Sequence, residues 1–407
     1  MTNSYLIVWV FSLHDTKILI TDCLKVNLAE DIKRRKEKGL FRSRQVIESA
    51  QGPIVKINKK DYINFCSNDY LGFANNQALK DCMINAVNEF GIGAGSSQLL
   101  VGHSKAHAVL EKQIAEFLSR DAALVFSTGY QANLAIASVL IDPKTIVIQD
   151  KYNHASLIDA ATLSSGKLVR YAHNDIDKLK ALLEKYKNRN LVVMTDGVFS
   201  MDGDCASLND IADLCSTYNA MLIVDDAHGI GVLGETGAGL LEELNLNQDQ
   251  VPLLIGTFGK AFGASGAFIS GRAELIEAFI QKARTYIYTT SLLPSIAATM
   301  IMAIELVKNG NHLREHIKKI TSYYIALLKQ KDLGPSISKT HIQPFIIGDA
   351  NTTVDLSNKL YENKILASAI RPPTVPNNTA RLRISLTAAH TISQIDILIN
   401  AIHKASV

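Results

Sequence analysis

Short apolar runs alternate with amphipathic stretches through the middle of the chain. The runs are apolar at nearly every position and rich in Val, Ile and Leu, which is typical of strands buried on both faces of a sheet. Seven strands are predicted, at Ala123–Ser127, Thr145–Gln149, Leu168–Tyr171, Leu191–Thr195, Met221–Asp225, Leu253–Thr257 and Ala267–Ser270. Helices are predicted between the earlier strands, at Gln131–Leu140, Ala155–Ser164, Ile176–Tyr186 and Leu208–Tyr218. This alternation predicts an α/β fold whose mainly parallel sheet is covered by helices on both faces.

The seventh strand is predicted to run against the others. Only nine residues separate Thr257 from Ala267, and a crossover between parallel strands needs a dozen or more. A helical stretch from Ala273 to Lys308, with a break near Pro294, follows.

A smaller C-terminal module is predicted after that stretch, with strands at Gln343–Ile347 and Ala380–Leu386. The chain therefore divides into three predicted parts: an N-terminal extension and helical arm (1–63), a large domain (64–306) and a small α+β domain (307–407).

Composition and charge exclude several classes of protein. The 407 residues are 47% hydrophobic and 20% charged, with a net charge of +3, which is typical of a globular protein and too small to indicate a nucleic-acid partner. The segment Lys25–Arg44 holds eight basic residues against three acidic ones. It predicts either a solvated amphipathic helix or a helix whose end faces an anionic substrate. The apolar run Tyr5–Leu13 is too short to span a bilayer and lacks the flanks of a signal peptide, so no membrane partner is expected.

Cysteine and histidine patterns argue against a metal site. Five cysteines without CxxC spacing predict neither a disulfide framework nor zinc, and fit a reducing, cytoplasmic setting. His103 and His107 have the i, i+4 spacing of some zinc helices. Without a third ligand, that spacing is weak evidence, and no metal is expected.

Candidate functional residues lie at or just past the ends of different predicted strands. In an open α/β sheet, ligands bind outside these carboxyl ends, so we expect the residues to meet. The candidates are Gly129 with Tyr130, His154, Ser200, Asp225 with His228, and Thr257 with Lys260. Pyridoxal phosphate needs an amine, a carboxylate facing its pyridine nitrogen, and hydroxyl and backbone donors for its phosphate. Lys260, Asp225 and Thr257 supply those groups.

Each of these residues also has an ordinary structural interpretation. The glycine of Ser127–Tyr130 occurs in many strand-to-helix turns, although a helix N-terminus also binds anions. Asp225 could cap a loop, but burial of an unpaired carboxylate is costly and a pyridinium partner explains it better. His228 could bond backbone or the cofactor's phenolic oxygen, and His154 could begin a helix or stack on the ring.

Five motifs of this sequence resemble those of the α-oxoamine synthases. These are fold-type I pyridoxal-phosphate enzymes that join an amino acid to an acyl-CoA with loss of CO2. The similarity extends from about Asn27 to the end of the chain. It rests on Asn64–Gly72, Ser127–Asn133, Asp196–Asp204, Val224–Gly229 and Thr257–Lys260. The segment Ala369–Pro376 followed by Ala380–Arg383 is similar to the biotin-pathway member, which uses L-alanine and a pimeloyl thioester.

The resemblance implies a role for each matching position. Catalytic roles fall to Lys260, which forms the Schiff base, to Asp225 and to His154. Cofactor contacts fall to Gly129, Tyr130, Ser200, His228 and Thr257, while Thr289 and Thr290 reach the phosphate of a neighbouring subunit. Substrate contacts fall to Arg42, Asn68, His154, Arg371, Thr374 and Arg383. A homodimer with shared sites is implied. Two positions depart from the family pattern: Asp196 replaces a common Glu, and Gln98 replaces an Arg of some members.

Four functions remain open at this point. Decarboxylative condensation of L-alanine with a pimeloyl thioester is the leading one, with CoA or a carrier protein as the acyl carrier. Glycine acyl transfer from acetyl-CoA or succinyl-CoA is the nearest rival. The third is an aminotransferase of the same fold. The fourth is a catalytically silent subunit, and the presence of Lys260 disfavours this last function.

Overall fold

The computed structural model describes residues 27–406, which form a short N-terminal segment and a large unit beginning at Gln45. The segment holds helix α1 (Leu28–Glu37), whose first turn is capped by the Asn27 side chain. Asp31 pairs with Arg34 and Arg35 on this helix, which buries no residue. Arg42 lies in the same segment, and its substrate role stays a prediction. The apolar run at residues 5–13 and Cys23 lie outside the described residues.

The large unit contains thirteen described strands in three sheets. They are β1 Ile54–Ile57, β2 Lys60–Asn64, β3 Ala122–Phe126, β4 Thr145–Asp150, β5 Lys167–Tyr171, β6 Asn190–Asp196, β7 Met221–Asp225, β8 Leu253–Thr257, β9 Ala267–Gly271, β10 Ile342–Gly348, β11 Ile365–Leu366, β12 Ser368–Ile370 and β13 Ala380–Ser385. The main sheet has the order β3-β9-β8-β7-β6-β4-β5. Strand β9 is antiparallel to both neighbours, whereas the other pairings are parallel, which confirms the predicted fold class.

Helices cover both faces of the main sheet and build the C-terminal part. They are α2 Gln77–Phe90, α3 Lys105–Phe117, α4 Gly129–Val139, α5 Ala155–Leu163, α6 Ile176–Tyr186, α7 Leu208–Thr217, α8 Leu240–Glu243, α9 Ala273–Lys282, α10 Arg284–Ile287, α11 Pro294–Lys308, α12 Asn311–Gln330, α13 Ala350–Glu362 and α14 Ile392–Ser406. Across residues 27–406, none of the helices is long and apolar enough to cross a membrane.

The apolar strands bury both faces because their side chains alternate between two cores. Ile146 and Ile148 of β4 pack in one core, and Val147 between them packs in the other. Alternate residues of a strand point to opposite faces, so a continuous apolar run fills both layers. Each fully buried side chain of this size contributes about 2 kcal/mol. Polar residues are thereby left to the strand ends, where the ligand site forms.

The predicted helical stretch from Ala273 to Lys308, with its break near Pro294, consists of three helices. Pro294 begins α11 because proline fits the first turn, where its missing N–H costs no hydrogen bond. The short strands β1, β2, β11 and β12 were not predicted. Strand β2 pairs in parallel with β11, so residues 60–64 join a sheet with the C-terminal part. The predicted domain boundaries themselves stay a prediction.

Candidate active site

The predicted cofactor residues of the strand ends line one cavity of about 140 Å³. Its walls include Gly129, Tyr130, His154, Ser200, Asp225, His228, Thr257 and Lys260. The sheet's register explains the convergence: Asp196 at the end of β6 lies beside Asp225 at the end of β7. Lys260 follows β8, the next strand. The rule that ligand sites form at the carboxyl edge therefore located this cavity from the sequence.

Asp225 is held by hydrogen bonds that sequence reasoning missed. Its Oδ2 accepts from Asn133 Nδ2 at 2.7 Å, and its Oδ1 accepts from the Ala227 backbone N–H at 3.1 Å. Asn133 lies on α4 and also donates to Ser156 Oγ at 2.8 Å. Asn133 follows the quoted Ser127–Tyr130 turn by one helical turn, but its contact with β7 has no local sequence signal.

His154 caps helix α5 and contacts the same network. Its Nδ1 accepts from the Ser156 backbone N–H at 3.4 Å and lies 2.7 Å from Ser156 Oγ. The backbone N–H of His154 donates to Asp196 Oδ2 at 2.8 Å. The structure thus combines both interpretations, since the residue begins a helix and its ring lines the cavity. Burial lowers the pKa of His154, which favours the neutral imidazole.

Burial displaces the pKa values of Lys260 and Asp196 from their ordinary values. Burial lowers the pKa of Lys260 to about 8, and the nearby Asp225 carboxylate opposes that shift. Burial raises the pKa of Asp196 well above its ordinary value, and repulsion from Asp225 adds to the effect. An amine that is partly neutral near physiological pH can act as a nucleophile or a base.

The opposite end of the cavity is the N-terminus of α4. Thr128 caps this helix by accepting from the Gln131 N–H at 3.2 Å. The N–H groups of Gly129 and Tyr130 belong to the first turn, where helical N–H groups have no intrahelical acceptor. Such a terminus binds anions such as phosphate. Thr257 Oγ1 accepts from the Gly259 N–H at 3.0 Å and donates to the Gly266 carbonyl.

The donor set fits pyridoxal phosphate. A carboxylate lies on one side, a helix N-terminus on another, and a desolvated amine between strand ends. Among residues 27–406 the buried Oδ1 of Asn133 has no hydrogen-bond partner, so the pocket also offers an unused acceptor. These groups match the requirements of that cofactor.

Thr289 and Thr290 lie near the same helix terminus of their own chain. Gln131 Nε2 donates to Thr289 Oγ1 at 3.2 Å, and Ser127 Oγ donates to the Thr290 carbonyl at 3.2 Å. Their predicted contact with a neighbouring subunit's phosphate stays a prediction.

Asn68 and Arg383 form a second polar centre, as the substrate prediction requires. Arg383 Nη1 donates to Asn68 Oδ1 at 3.1 Å, and Arg383 Nε donates to the Ser200 carbonyl at 2.6 Å. Arg383 is 7% exposed. Among residues 27–406 no carboxylate lies within ion-pair distance of it. A buried cation without a counter-ion is a strong candidate for binding a substrate carboxylate.

A larger cavity of about 680 Å³ adjoins the cofactor cavity, and His154 and Ser200 line both. Its walls are largely apolar, with Tyr152, Ile158, Phe199, Met201, Val375 and the predicted substrate residue Thr374. Lys151 and Arg170, both exposed, also contribute to the lining.

The segment that carries Arg371 and Thr374 contains two prolines, which by themselves favour an extended backbone. Instead, the Pro372–Pro373 bond is cis and the Thr374 N–H donates to the Arg371 carbonyl at 3.1 Å, which closes a turn. Thr374 lines the larger cavity, whereas Arg371 is not among its lining residues. The substrate roles of both residues stay predictions.

The remaining candidates have structural contacts. His107 Nε2 bonds the Leu292 carbonyl at 2.8 Å, and its Nδ1 accepts from the Ser104 N–H. Gln98 is buried and donates to the Val125 carbonyl at 3.0 Å, so it ties its loop to β3. Within the described part of the chain, no group of three or more acidic, His or Cys side chains is arranged to hold a metal.

Comparison with known proteins identifies the family of this chain. The model of the family "aminotransferase class I and II" matches residues 60–402. The chain is 47% identical to 8-amino-7-oxononanoate synthase of Hahella chejuensis, covering 93% of this chain and 96% of the relative, and 45% identical to that of Thioalkalivibrio sulfidiphilus, covering 93% and 97%.

Two solved structures extend the comparison. Serine palmitoyltransferase from S. paucimobilis, bound to PLP and myriocin, is 29% identical with a TM-score of 0.88 over 93% of this chain and 96% of its own. 8-Amino-7-oxononanoate synthase from Francisella tularensis is 33% identical with a TM-score of 0.75 over 84% and 97%. The chain belongs to the aminotransferase class I and II family.

Proposed function

We propose that this protein is a pyridoxal-phosphate-dependent 8-amino-7-oxononanoate synthase. It joins the α-carbon of L-alanine to the carbonyl of a pimeloyl thioester, releasing the thiol and CO2, in biotin biosynthesis. The observation that carries the proposal is the pair of adjoining cavities, one built for the cofactor and one apolar, in a chain 43–47% identical to enzymes of that name.

The cofactor site assigns one task to each group. Lys260 would hold the cofactor covalently, Asp225 would pair with its pyridine nitrogen, and the N-terminus of α4 with Thr257 would bind its phosphate. His154 would contact the ring. When bound, the cofactor supplies an electron sink for negative charge at the α-carbon of the amino acid.

The amine of Lys260, once the amino group of the substrate has replaced it on the cofactor, would act as the base at the amino acid. Its amine has a pKa of about 8 because it is desolvated, so a substantial fraction is neutral at pH 7 to 8 and can take the α-proton. The nearby Asp225 carboxylate opposes this shift, which keeps the protonated form from becoming too costly.

Arg383 and Asn68 bind the carboxylate of the amino acid. The guanidinium is buried and bonded to neutral acceptors only, so an incoming carboxylate supplies the missing negative charge. Charge-assisted bonds of this kind contribute about 1.5–3 kcal/mol each. L-Alanine fits because its methyl group requires no polar partner.

The larger cavity accepts the acyl chain. Its apolar walls suit the methylene chain of a pimeloyl group, and it reaches the cofactor cavity at His154 and Ser200. The exposed cations Lys151 and Arg170 suit the anionic part of the donor, whether CoA phosphates or an acidic carrier protein. Arg371 is assigned to the far carboxylate of the pimeloyl group.

A panel of amino acids and acyl thioesters tests the activity. Free thiol should be released fastest with L-alanine and pimeloyl-CoA, and more slowly with glycine and acetyl-CoA. Arg371→Ala should reduce the preference for pimeloyl-CoA about tenfold while leaving acetyl-CoA turnover unchanged. Higher efficiency with glycine and acetyl-CoA would reassign the chain as a glycine acyltransferase, and amino-group transfer without thiol release would reassign it as an aminotransferase.

A homodimer with shared sites is part of the proposal. Ile92, Leu100, Val101 and Tyr288 are 71–84% exposed. The two segments that carry them are adjacent, because the Ser291 N–H donates to the Ser96 carbonyl at 3.1 Å. A large exposed apolar patch marks an interface, and a two-fold dimer buries the same patch of both copies.

Measurement of the molar mass in solution tests the dimer. Leu100→Asp with Val101→Asp should yield monomers that lose activity, since Thr289 and Thr290 could no longer reach a second site. A wild-type monomer with full turnover would contradict the shared site.

We also assign the protein to the cytoplasm, which is supported by the free thiols of Cys66, Cys82, Cys205 and Cys215.

A further inference from the structure

We propose that Tyr70 is a positioning residue that sets the proton position of His228 and links it to Arg383. The inference rests on the proposed function, which places the cofactor beside His228 and the amino-acid carboxylate beside Arg383. Neither the motif resemblance nor the strand-end pattern assigned a role to Tyr70.

Tyr70 is fully buried and its hydroxyl has three polar partners. The oxygen lies 2.7 Å from His228 Nδ1 and 3.1 Å from Asn68 Oδ1, and it accepts from Arg383 Nη2 at 3.3 Å. One hydroxyl therefore contacts a residue of the cofactor cavity and both residues of the carboxylate centre.

The surrounding backbone and side chains fix the position of that hydroxyl. The Tyr70 carbonyl accepts from the Ala388 N–H at 2.7 Å. The ring of His341 packs edge-on against the Tyr70 ring, with centroids 4.0 Å apart. Asp69 accepts from the Phe73 N–H at 2.7 Å and so holds the loop that carries Tyr70.

The distances around the Tyr70 hydroxyl indicate where its proton goes. A guanidinium can only donate, so the Tyr70 oxygen accepts from Arg383 and its single proton is given to another partner. Two acceptors are within reach: Asn68 Oδ1 at 3.1 Å, which can accept from both Tyr70 and Arg383 Nη1, and His228 Nδ1 at 2.7 Å. The shorter distance assigns the proton to His228 Nδ1, whereas a proton on Nδ1 itself would direct the hydroxyl to Asn68.

This hydrogen bond selects one tautomer of His228. A neutral imidazole that accepts at Nδ1 carries its proton on Nε2. Burial, with the nearby Lys260 and Arg383 cations, lowers the pKa of His228, which favours the neutral ring. His228 lines the cofactor cavity, so its Nε2–H is a donor for the cofactor's phenolic oxygen. Without the Tyr70 hydroxyl, either ring nitrogen could hold the proton.

Nitrogen NMR of wild-type protein labelled at histidine tests the assignment directly, without substrate. The His228 signal, identified by its loss in His228→Gln, should show a protonated Nε2 and an unprotonated Nδ1. A proton on Nδ1 would overturn the proposal, whatever reaction the enzyme catalyses. Because this measurement uses the wild-type protein, it does not depend on whether a Tyr70 variant folds.

Tyr70→Phe then tests the link, since it removes the hydroxyl and keeps the ring. We expect a mixed tautomer at His228, a shifted pH midpoint of the visible absorbance of the cofactor-loaded protein, and a KM for L-alanine about tenfold higher. Tyr324→Phe is the matched control, because Tyr324 is also fully buried but its hydroxyl has no hydrogen-bond partner in the described part of the chain. It should leave all three readings unchanged.

The outcomes separate the two proposals. An unchanged tautomer and absorbance midpoint in Tyr70→Phe would overturn the role of Tyr70 even if alanine and pimeloyl-CoA are the substrates. A shifted tautomer in a protein that does not condense those substrates would support the role of Tyr70 and reject the proposed function.

Discussion

Two polar clusters lie at the same carboxyl edge of the main sheet, and they differ in how their charges are matched. His173 lies between two carboxylates, 3.0 Å from Asp150 and 2.8 Å from Asp204. Although burial opposes the charged ring, these two bonds raise the pKa of His173 to about 9. In this cluster the charge of the imidazole is matched by carboxylates of the same chain.

The cavity around Lys260 shows the opposite arrangement. There the pKa of the lysine is lowered, those of His154 and His228 are lowered, and that of Asp196 is raised. Each shift favours the neutral form of its group. Displacement toward neutrality marks groups whose charges await a ligand, which distinguishes a binding site from a structural ion cluster of similar composition.

Strand β13 repeats the contrast within three residues. Arg381 pairs with the Asp202 carboxylate, whereas the partners of Arg383 within residues 27–406 are neutral oxygens. Alternate residues of a strand share a face, so the two cations differ in their partners rather than in their orientation along the strand.

Lys260→Ala should give the largest effect on this comparison. The wild-type protein should be yellow when purified with its cofactor, and the variant should lose more than about 10³-fold in turnover, because both the covalent link and the base are removed. Visible spectra and thiol release measure the two losses. Lys308→Ala, at an exposed pair with Glu305, is the control. Near-normal turnover of Lys260→Ala would reject the assigned role.

Substitution of the two β13 arginines by methionine should separate substrate binding from stability. Arg383→Met should raise the KM for L-alanine tenfold to a hundredfold, since a charge-assisted bond is lost. Arg381→Met should lower the free energy of unfolding by about 3–5 kcal/mol, because the Asp202 carboxylate is left buried and unpaired.

Denaturant unfolding and alanine kinetics on both variants check these effects. Loss of alanine binding in Arg381→Met alone would reverse the assignment of the two residues. A large loss of stability in Arg383→Met would show that its neutral partners, rather than a substrate, satisfy the charge.

The pH dependence of stability should identify the His173 cluster. The pKa of His173 is raised from 6.5 to about 9, so its contribution is fully present below pH 6.5 and is lost as pH rises through about 9. Wild type should exceed His173→Gln in unfolding free energy by at most about 3 kcal/mol at pH 6, with the difference falling toward pH 10. Unfolding curves from pH 6 to 10 measure it. A constant difference would show that His173 is neutral.

The sequence predicted the strands best where burial is continuous. Met221–Asp225 and Leu253–Thr257 match the observed strands at both ends, because long apolar runs admit few alternatives. The family, the fold class and the cofactor inferred from the motifs are confirmed. Short strands such as Ile365–Leu366 lack such a pattern.

Contacts between distant segments could not be predicted. Asn133 bonds Asp225 across 92 residues of chain, and Tyr70 bonds His228 across 158. Neither Asn133 nor Tyr70 lies in a local sequence pattern that reveals its partner. The turn at Arg371–Thr374 likewise depends on its own hydrogen bond, which opposes the extended preference of residues before proline. The roles of the site residues stay predictions.

The smallest expected effect concerns the pH at which Lys260 accepts the cofactor. Only the neutral amine attacks an aldehyde, and burial lowers the pKa of Lys260 to about 8. When pyridoxal phosphate is added to cofactor-free protein, the rate of growth of visible absorbance should rise about tenfold from pH 6 to pH 7 and only about twofold from pH 8 to pH 10.

N-α-acetyl-lysine, treated in parallel, corrects for ionisation of the cofactor itself. Its rate should continue to rise toward pH 10, because an exposed lysine amine is neutral only near its ordinary pKa of about 10.4. If the rate of absorbance growth for the protein keeps rising up to pH 10, as it does for the free amine, Lys260 is fully charged at neutral pH. Its charges would then be matched like those of the His173 cluster, and the distinction between the two clusters would fail.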